Sequence, residues 1–273
     1  MKPQLLHIFR NTPFGRETLL ESSFFCQKVG VEMVVYIPVS TKFLMYFENE
    51  VVQIDLNGSY LTDLNTAREH ACEITRTVST EVEPVFFTPR HYTASTLPDI
   101  PTDFDYLCCP RSIVDMSSKI GLGYVGPRVR KLIMHAKFPV YIPNPVFKEW
   151  KSLAVFFGGS ANAVMAVRLA MKLKALTGVP MQIFSHFGNG DKAKFDKAIK
   201  DNNLEEAFEN WTIFENGRFE VNLYKVPHDA LVILGAYGHG LIKELTFGST
   251  MELIQSVLPN SMVVAGPQCR VSA

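Results

Sequence analysis

The 273-residue sequence has no excess of either charge. Its 27 basic and 27 acidic side chains give a formal net charge of zero at pH 7. Proteins that bind DNA or RNA usually present a basic face, so this balance argues against nucleic-acid binding as the main function. A local basic cluster remains compatible with the neutral total.

Cysteine is scarce, and its spacing excludes the common metal and redox motifs. The five cysteines form no CxxC pair, and their mostly apolar surroundings predict buried thiols in a reducing compartment. The neighbours Cys108 and Cys109 suggest a redox or metal pair at first sight. A disulfide between adjacent residues is strained, however, so buried packing is the favoured interpretation.

Long apolar runs are also missing. No stretch approaches the roughly 18 apolar residues that a membrane-spanning helix needs. The apolar run near the N-terminus is short and Arg10 interrupts it, which is not typical of a signal peptide. We therefore expect a soluble, cytoplasmic protein that has no membrane partner.

Short apolar runs alternate with helical patterns along the whole chain. The predicted strands are Leu5–Phe9, Glu32–Ile37, Val82–Phe87, Tyr106–Cys109, Pro139–Ile142, Leu153–Phe157, Met181–Ser185, Trp211–Phe214, Leu231–Leu234 and Met262–Ala265. The predicted helices are Arg16–Lys28, Asp63–Val78, Gly126–Lys137, Ser160–Thr177 and Asp191–Lys200. Several of the strands are continuously apolar, as expected when helices cover both faces of a parallel sheet. The fold class is therefore α/β, with doubly wound parallel sheets.

The two halves of the chain end in similar units, which indicates a duplication. Gly126 and Gly248 each begin a predicted helix, and the last strand of each half begins about 13 residues after its glycine. The segment 143–148 contains two prolines and marks a natural boundary. We predict tandem domains at residues 1–147 and 148–273.

The halves differ in length and in glycine content. In the first half, 121 positions separate the first strand at Leu5 from Gly126, and in the second half 95 positions separate Leu153 from Gly248. The first half therefore contains an insertion of about 26 residues, which we place around Ser40–Gly58. This insertion is predicted to pack on its own domain, with a partner-binding surface as the alternative. Eleven of the 17 glycines follow residue 150, so a ligand site is expected in the second half.

The most informative segment is the glycine-rich stretch from Gly235 to Thr250. An apolar strand leads into Gly235, Gly238 lies in the following loop, and Gly248-Ser249-Thr250 begins a helix. Glycines allow backbone N–H groups to approach phosphate oxygens, and a helix N-terminus favours an anion. The segment is therefore predicted to bind phosphate, while Lys243 and His239 are as readily explained as exposed loop residues.

The spacing Gly-x2-Gly-x9-Gly-Ser resembles the nucleotide-binding motif of the universal stress protein family. The segments LVILG, HGLIKELTFGST, SVLPNSMVVAG and SLAVFFGGSANAVMAVRLAMKLKALTG resemble that family too, strongly in the second half and weakly in the first. The resemblance implies two adenine-nucleotide-alpha-hydrolase-like sheets of strand order 3-2-1-4-5. It also implies an internal pseudo-dimer through Val140–Ile142 and Met262–Val264, with further dimerisation left open.

The same resemblance implies ATP or a related adenine nucleotide as the ligand, with Mg²⁺ allowed as its counter-ion. The residues that would bind it are Gly158, Gly159, Ser160, Gly235, Gly238, Gly248, Ser249 and Thr250. Family members that bind ATP usually carry an aspartate at the position of Gly158. The first half lacks that aspartate in its turn 9–12 and lacks the three glycines, so at most one site per chain is expected.

These observations favour a regulatory, stress-response protein that binds nucleotide, acts on an unknown protein partner and hydrolyses ATP slowly at most. The alternative is a scaffold that keeps the fold and has lost the ligand, in which Phe156 or Phe157 would fill the adenine pocket. An ATP-pyrophosphatase is disfavoured, because residues 157–162 match that enzyme loop at two glycines alone. The cluster Arg128, Arg130 and Lys131 is predicted to be a solvated helix face, with an anion or partner contact as the alternative.

Overall fold

A computed structural model of the chain describes residues 2–56, 63–94, 96–110, 125–186, 192–214, 218–236, 253–254 and 257–270. Its strands are β1 (Gln4–Ile8), β2 (Glu32–Tyr36), β3 (Lys42–Phe47), β4 (Glu50–Asp55), β5 (Val85–Phe87), β6 (His91–Tyr92), β7 (Pro98–Ile100), β8 (Tyr106–Cys108), β9 (Val140–Ile142), β10 (Ser152–Phe156), β11 (Met181–His186), β12 (Trp211–Phe214), β13 (Ala230–Gly235) and β14 (Met262–Ala265). Its helices are α1 (Pro13–Val29), α2 (Leu64–Val78), α3 (Pro127–His135), α4 (Ala161–Thr177), α5 (Lys192–Asp201) and α6 (Phe219–Leu223). A 3₁₀ turn lies at Glu205–Phe208.

The larger of the two described sheets has ten strands in the order β12-β11-β10-β13-β14-β9-β8-β1-β2-β5. Each run of five strands is parallel, and numbering the five in chain order gives 3-2-1-4-5 from the outer edge to the centre. All ten strands predicted from the sequence are therefore confirmed, together with the predicted strand order.

The two runs of five strands meet through one antiparallel pair. Met262 lies opposite Ile142, Val263 opposite Tyr141 and Val264 opposite Val140. Antiparallel pairing of the last strands joins the two halves of the sheet about an approximate twofold axis, as the predicted pseudo-dimer requires. The proposed boundary between residues 147 and 148 falls in the connection from β9 to β10 and stays a prediction.

The helix ends follow local sequence signals. The side chains of Thr12, Asp63 and Ser160 accept hydrogen bonds from backbone N–H groups in the first turns of α1, α2 and α4. Gly30 and Gly178 follow α1 and α4 with φ values of 75° and 68°. Glycine adopts this left-handed conformation without the strain of a Cβ atom, so both helices end where the glycines stand.

The insertion of the first half forms a second sheet, in the order β4-β3-β7-β6. The hairpin β3–β4 directs Phe43, Met45, Val52 and Ile54 into the apolar layer that also covers one face of β1 and β2. The predicted packing of the insertion on its own domain is confirmed. Strands β6 and β7 show that residues beyond Ser40–Gly58 contribute to the insertion as well.

The hairpin is also joined to α3 by ion pairs. Arg128 pairs with Asp55, and Lys131 pairs with Glu50 at 3.4 Å. The Arg130 guanidinium donates to the Val125 carbonyl at 2.9 Å. The prediction of a solvated helix face is therefore wrong for Arg128, which is half-buried against Asp55, and is confirmed for Lys131, whose side chain is 57% exposed although it lies opposite Glu50.

A buried carboxylate lies where the two halves meet. Glu21 of α1 is fully buried and accepts hydrogen bonds from the Tyr141 hydroxyl at 2.6 Å, the Ser261 hydroxyl at 2.8 Å and the Lys148 backbone N–H at 2.8 Å. One side chain thereby contacts β9, the connection between the halves and the residue before β14. Burial raises the pKa of Glu21.

In the part of the chain that the structure describes, no helix is long and apolar enough to cross a membrane.

Candidate functional site

The candidate site lies at the carboxyl ends of β10 and β13. These strands are adjacent and parallel, with Phe156 opposite Leu234. The chain leaves β10 toward β11 on one side and leaves β13 toward β14 on the other. Open α/β sheets bind ligands in the crevice that such a reversal of strand order creates. The predicted residues Gly158, Gly159, Ser160 and Gly235 are brought together here.

The turn after β10 is open at Gly158. This residue is exposed, and apart from its two chain neighbours no atom of the described residues lies within 4 Å of the position that a Cβ atom would occupy. Gly159 has a φ of 73°, which favours glycine. Ser160 caps α4 by accepting the Ala163 N–H at 3.2 Å. The turn therefore leaves room for a ligand or for an added side chain.

Gly235 is required by close packing. A Cβ atom at this position would lie 2.2 Å from the Asn162 carbonyl oxygen and 2.6 Å from the Ala163 nitrogen. The Asn162 side-chain amide donates to the Ala236 carbonyl. These contacts fix the first turn of α4 against the end of β13. The sequence analysis did not identify Asn162 as a site residue. Its position two residues after the capping Ser160, in the first turn of α4, was the one sequence feature that placed it near the site.

The bulky residues before Gly158 point away from the turn. Phe157 is buried, with its ring centroid 5.7 Å from that of Phe195 and 4.9 Å from that of Phe208. Phe156 lies on the other face of the sheet, with ring centroids of Phe184 and Phe219 at 5.8 and 6.4 Å. The scaffold alternative expects one of these rings over Gly158, and their packing gives it no support.

The corresponding turn of the first half is filled. Counting back from the capping residues Thr12 and Ser160 places Arg10 opposite Gly158, and Arg10 is buried. Asn11 lies within 2.7 Å of the His70 Nδ1 atom and accepts from the Arg16 guanidinium at 3.0 Å. The two halves therefore differ at this turn, where the first has a buried arginine and the second an exposed glycine.

Several predicted residues lie outside the described part of the chain. They are Gly238, His239, Lys243, Gly248, Ser249 and Thr250. Their roles stay predictions. Among the residues that the structure describes, no group of three or more His, Cys, Asp or Glu side chains could hold a metal ion.

The adjacent cysteines Cys108 and Cys109 are part of the buried core. Cys108 and Cys109 are both buried and carry free thiols. Burial raises the pKa of Cys108 to about 12 and that of Cys109 well above its ordinary value. Thiolates are the reactive form of cysteine, so burial and the raised pKa values both lower the reactivity of these two thiols. The favoured interpretation of buried packing is confirmed.

The fold is that of the universal stress proteins. A universal stress protein from Archaeoglobus fulgidus DSM 4304 superposes with a TM-score of 0.60 at 14% identity, over 96% of this chain and 98% of that one. A protein from Pseudomonas aeruginosa UCBPP-PA14 assigned as a universal stress protein gives 0.57 at 13% identity, over 98% and 94%. A functionally unknown protein from Pseudomonas aeruginosa PAO1 gives 0.57 at 12% identity, over 98% and 93%.

No protein-family model matches the sequence, and no curated protein matches it. At these identities the three structures show the shared fold. They confirm the architecture that the sequence resemblance implies, and they do not identify a ligand or its binding residues.

Proposed function

We propose that the chain is a tandem universal stress protein that binds one adenine nucleotide, ATP in the first place, in its second half. The observation that carries the proposal is the contrast between the two turns at the carboxyl ends of β10 and β1. Gly158 is exposed and open, whereas Arg10 fills the corresponding position of the first half. Among the described residues, one of the two turns is open, which agrees with the single glycine motif in the sequence.

The described residues have defined parts in this proposal. Gly158 and Gly159 leave the space in which the adenosine portion would lie, and Asn162 with Gly235 holds the adjoining strand end in place. The triphosphate would extend toward Gly238, Gly248, Ser249 and Thr250, where backbone N–H groups and hydroxyls are suitable donors to phosphate oxygens. The proposal assigns binding and a change of protein contacts, with no catalytic residue.

The alternative is a scaffold that has lost its nucleotide, and the glycine in place of aspartate favours it. An aspartate at position 158 would supply a charge-assisted hydrogen bond to the ligand. Because the described residues leave room for a side chain at this position, the substitution Gly158→Asp can restore the missing carboxylate. The two functions can therefore be separated experimentally.

The test begins with mass spectrometry of any ligand extracted from the purified chain, followed by calorimetric titration of ATP. We expect one ATP per chain, loss of binding in Gly248→Glu, and binding about tenfold tighter in Gly158→Asp. Val39→Glu is the control, because it adds the same charge at an exposed position of the first half.

The outcomes separate the two functions. If neither the wild type nor Gly158→Asp binds ATP, the nucleotide proposal is wrong. If Gly158→Asp alone binds, the crevice is intact and the natural chain is the scaffold.

A further inference from the structure

A groove with a volume of about 510 Å³ runs between α4 and α5, from Gly159 at one end to Asn202 at the other. It differs from the proposed nucleotide crevice, which lies between the ends of β10 and β13. Of the described residues, Gly159 alone belongs to both. Pockets for small molecules typically have volumes of roughly 300–1,000 Å³. The groove is therefore large enough for an organic ligand of its own.

One stripe of α4 forms the first wall. Ala161, Val164, Met165 and Arg168 line the groove, and their spacing of three, four and seven residues places them on one helix face. Val164 is buried and Met165 is half-buried. This wall is apolar over its first two turns and ends in a cation.

One stripe of α5 forms the opposite wall with the same spacing. Its lining residues are Lys194, Lys197, Ala198 and Asp201. Ala198 faces the apolar stretch of α4, and the lysines stand at the rim as exposed side chains. The groove is therefore lined by three cations, Arg168, Lys194 and Lys197, and by one carboxylate, Asp201. This local excess of positive charge contrasts with the zero net charge of the whole chain.

Two cations of the groove, Arg168 and Lys197, carry the argument for a bound anion. Arg168 has a fixed neighbour, because the Asn202 amide donates to the Ala198 carbonyl at 2.8 Å and its oxygen lies 3.5 Å from the guanidinium. Within the described residues, neither Arg168 nor Lys197 forms an ion pair with a carboxylate. A guanidinium with free N–H groups binds phosphate or carboxylate in a planar, bidentate geometry.

We propose that the groove binds an amphipathic organic anion, a molecule with a flat apolar body and one phosphate or carboxylate group. The apolar body lies on Val164, Met165 and Ala198, and the anionic group lies between Arg168 and Lys197. An acidic protein helix is a poorer fit, because ten residues of α5 provide a wall of only about 15 Å.

The first experiment compares three probes by calorimetric titration at low salt. They are 1-naphthyl phosphate, inorganic phosphate and 1-naphthol. We expect 1-naphthyl phosphate to bind once per chain and at least about tenfold tighter than the other two. If inorganic phosphate or 1-naphthol bound as tightly as 1-naphthyl phosphate, the proposal would be overturned, because the anionic group or the apolar body alone would then account for the affinity. Binding of poly-glutamate without binding of naphthyl phosphate would overturn it in favour of a protein-binding surface.

The second experiment locates the site. The double variant Arg168→Gln, Lys197→Gln should weaken the binding of 1-naphthyl phosphate by about tenfold or more. The matched control is Lys174→Gln, Lys200→Gln, which removes the same charge from exposed positions of the same two helices outside the groove. Met165→Glu should abolish binding by placing a carboxylate under the ligand. An equal loss in the control variant would show that general charge, and not the groove, attracts the probe.

The result is independent of nucleotide binding. Gly248→Glu should leave the affinity for 1-naphthyl phosphate unchanged, because that substitution affects the other crevice. A parallel loss in Gly248→Glu would place the probe in the nucleotide crevice and contradict the proposal.

Discussion

Replacement of Glu21 by leucine should weaken the joint between the two halves of the chain. The change removes the acceptor of three hydrogen bonds, from the hydroxyls of Tyr141 and Ser261 and from the N–H of Lys148. A buried donor without an acceptor costs about 1–3 kcal/mol. Loss of the buried charge offsets part of this cost, so we expect a net destabilisation of roughly 3 kcal/mol or more.

Glu21→Gln is the matched control for this prediction. Glutamine retains one acceptor oxygen, and its amide group can donate to a hydroxyl oxygen of Tyr141 or Ser261 after that hydroxyl rotates. We therefore expect a destabilisation of about 1 kcal/mol, well below that of the leucine variant. Urea unfolding followed by tryptophan fluorescence measures both changes.

The pH dependence gives a second, independent signature of this carboxyl group. Because burial raises the pKa of Glu21 above the ordinary 4.5, there is a pH range above 4.5 in which this carboxyl group is protonated in the folded chain and ionised in the unfolded chain. The stability contributed by Glu21 is therefore complete below pH 4.5 and decreases as the pH rises through the folded value. The glutamine variant has no such titration, so the stability difference between wild type and Glu21→Gln should shrink with rising pH.

Two results would refute this reasoning. A leucine variant as stable as the wild type would show that the three donors find other acceptors. A stability difference that stays constant with pH would show that the carboxyl group titrates at its ordinary pKa.

Three further predictions follow from glycine packing, histidine burial and cysteine exposure. Gly235→Ala should lower the free energy of unfolding by several kcal/mol, because the new Cβ atom would collide with Asn162, whereas Gly158→Ala should lower it by less than about 0.5 kcal/mol. Urea unfolding measures both changes, and equal effects would contradict the structure. Burial lowers the pKa of His7 to about 3, so its ring should stay neutral from pH 8 to 5 in NMR titration, and its contribution to stability is lost as the pH falls below 6.5. Of the five free thiols only that of Cys72 is half-buried rather than buried, so a thiol reagent should modify one cysteine in the native chain and none in Cys72→Ser.

The sequence predicted the large sheet well because its strands are continuously apolar. Strand β13 has five consecutive buried residues and β10 has three, a pattern that is typical of parallel strands covered on both faces. The second sheet escaped prediction for the opposite reason. Strand β6 consists of the two exposed residues His91 and Tyr92, and no periodicity can be read from two positions.

The candidate site was predicted in part. The sequence located the turn at Gly158 and the strand end at Gly235, because glycine after an apolar strand marks a sharp change of direction. It interpreted Gly235 through a ligand, whereas the structure shows a contact with the backbone of α4. Long-range contacts of this kind depend on how a helix crosses a strand, which single-residue patterns do not record.

The antiparallel pair of β9 and β14 has a consequence for symmetry. In a dimer of two identical chains, both ligand turns have the same sequence and are open or filled together. In this chain the two halves are joined by a short connection, so their effective concentration relative to each other is high and does not change on dilution. The filled turn at Arg10 and the open turn at Gly158 are therefore always paired with each other. Each molecule therefore holds one open and one filled turn in a fixed one-to-one ratio, which a dimer of identical chains cannot do.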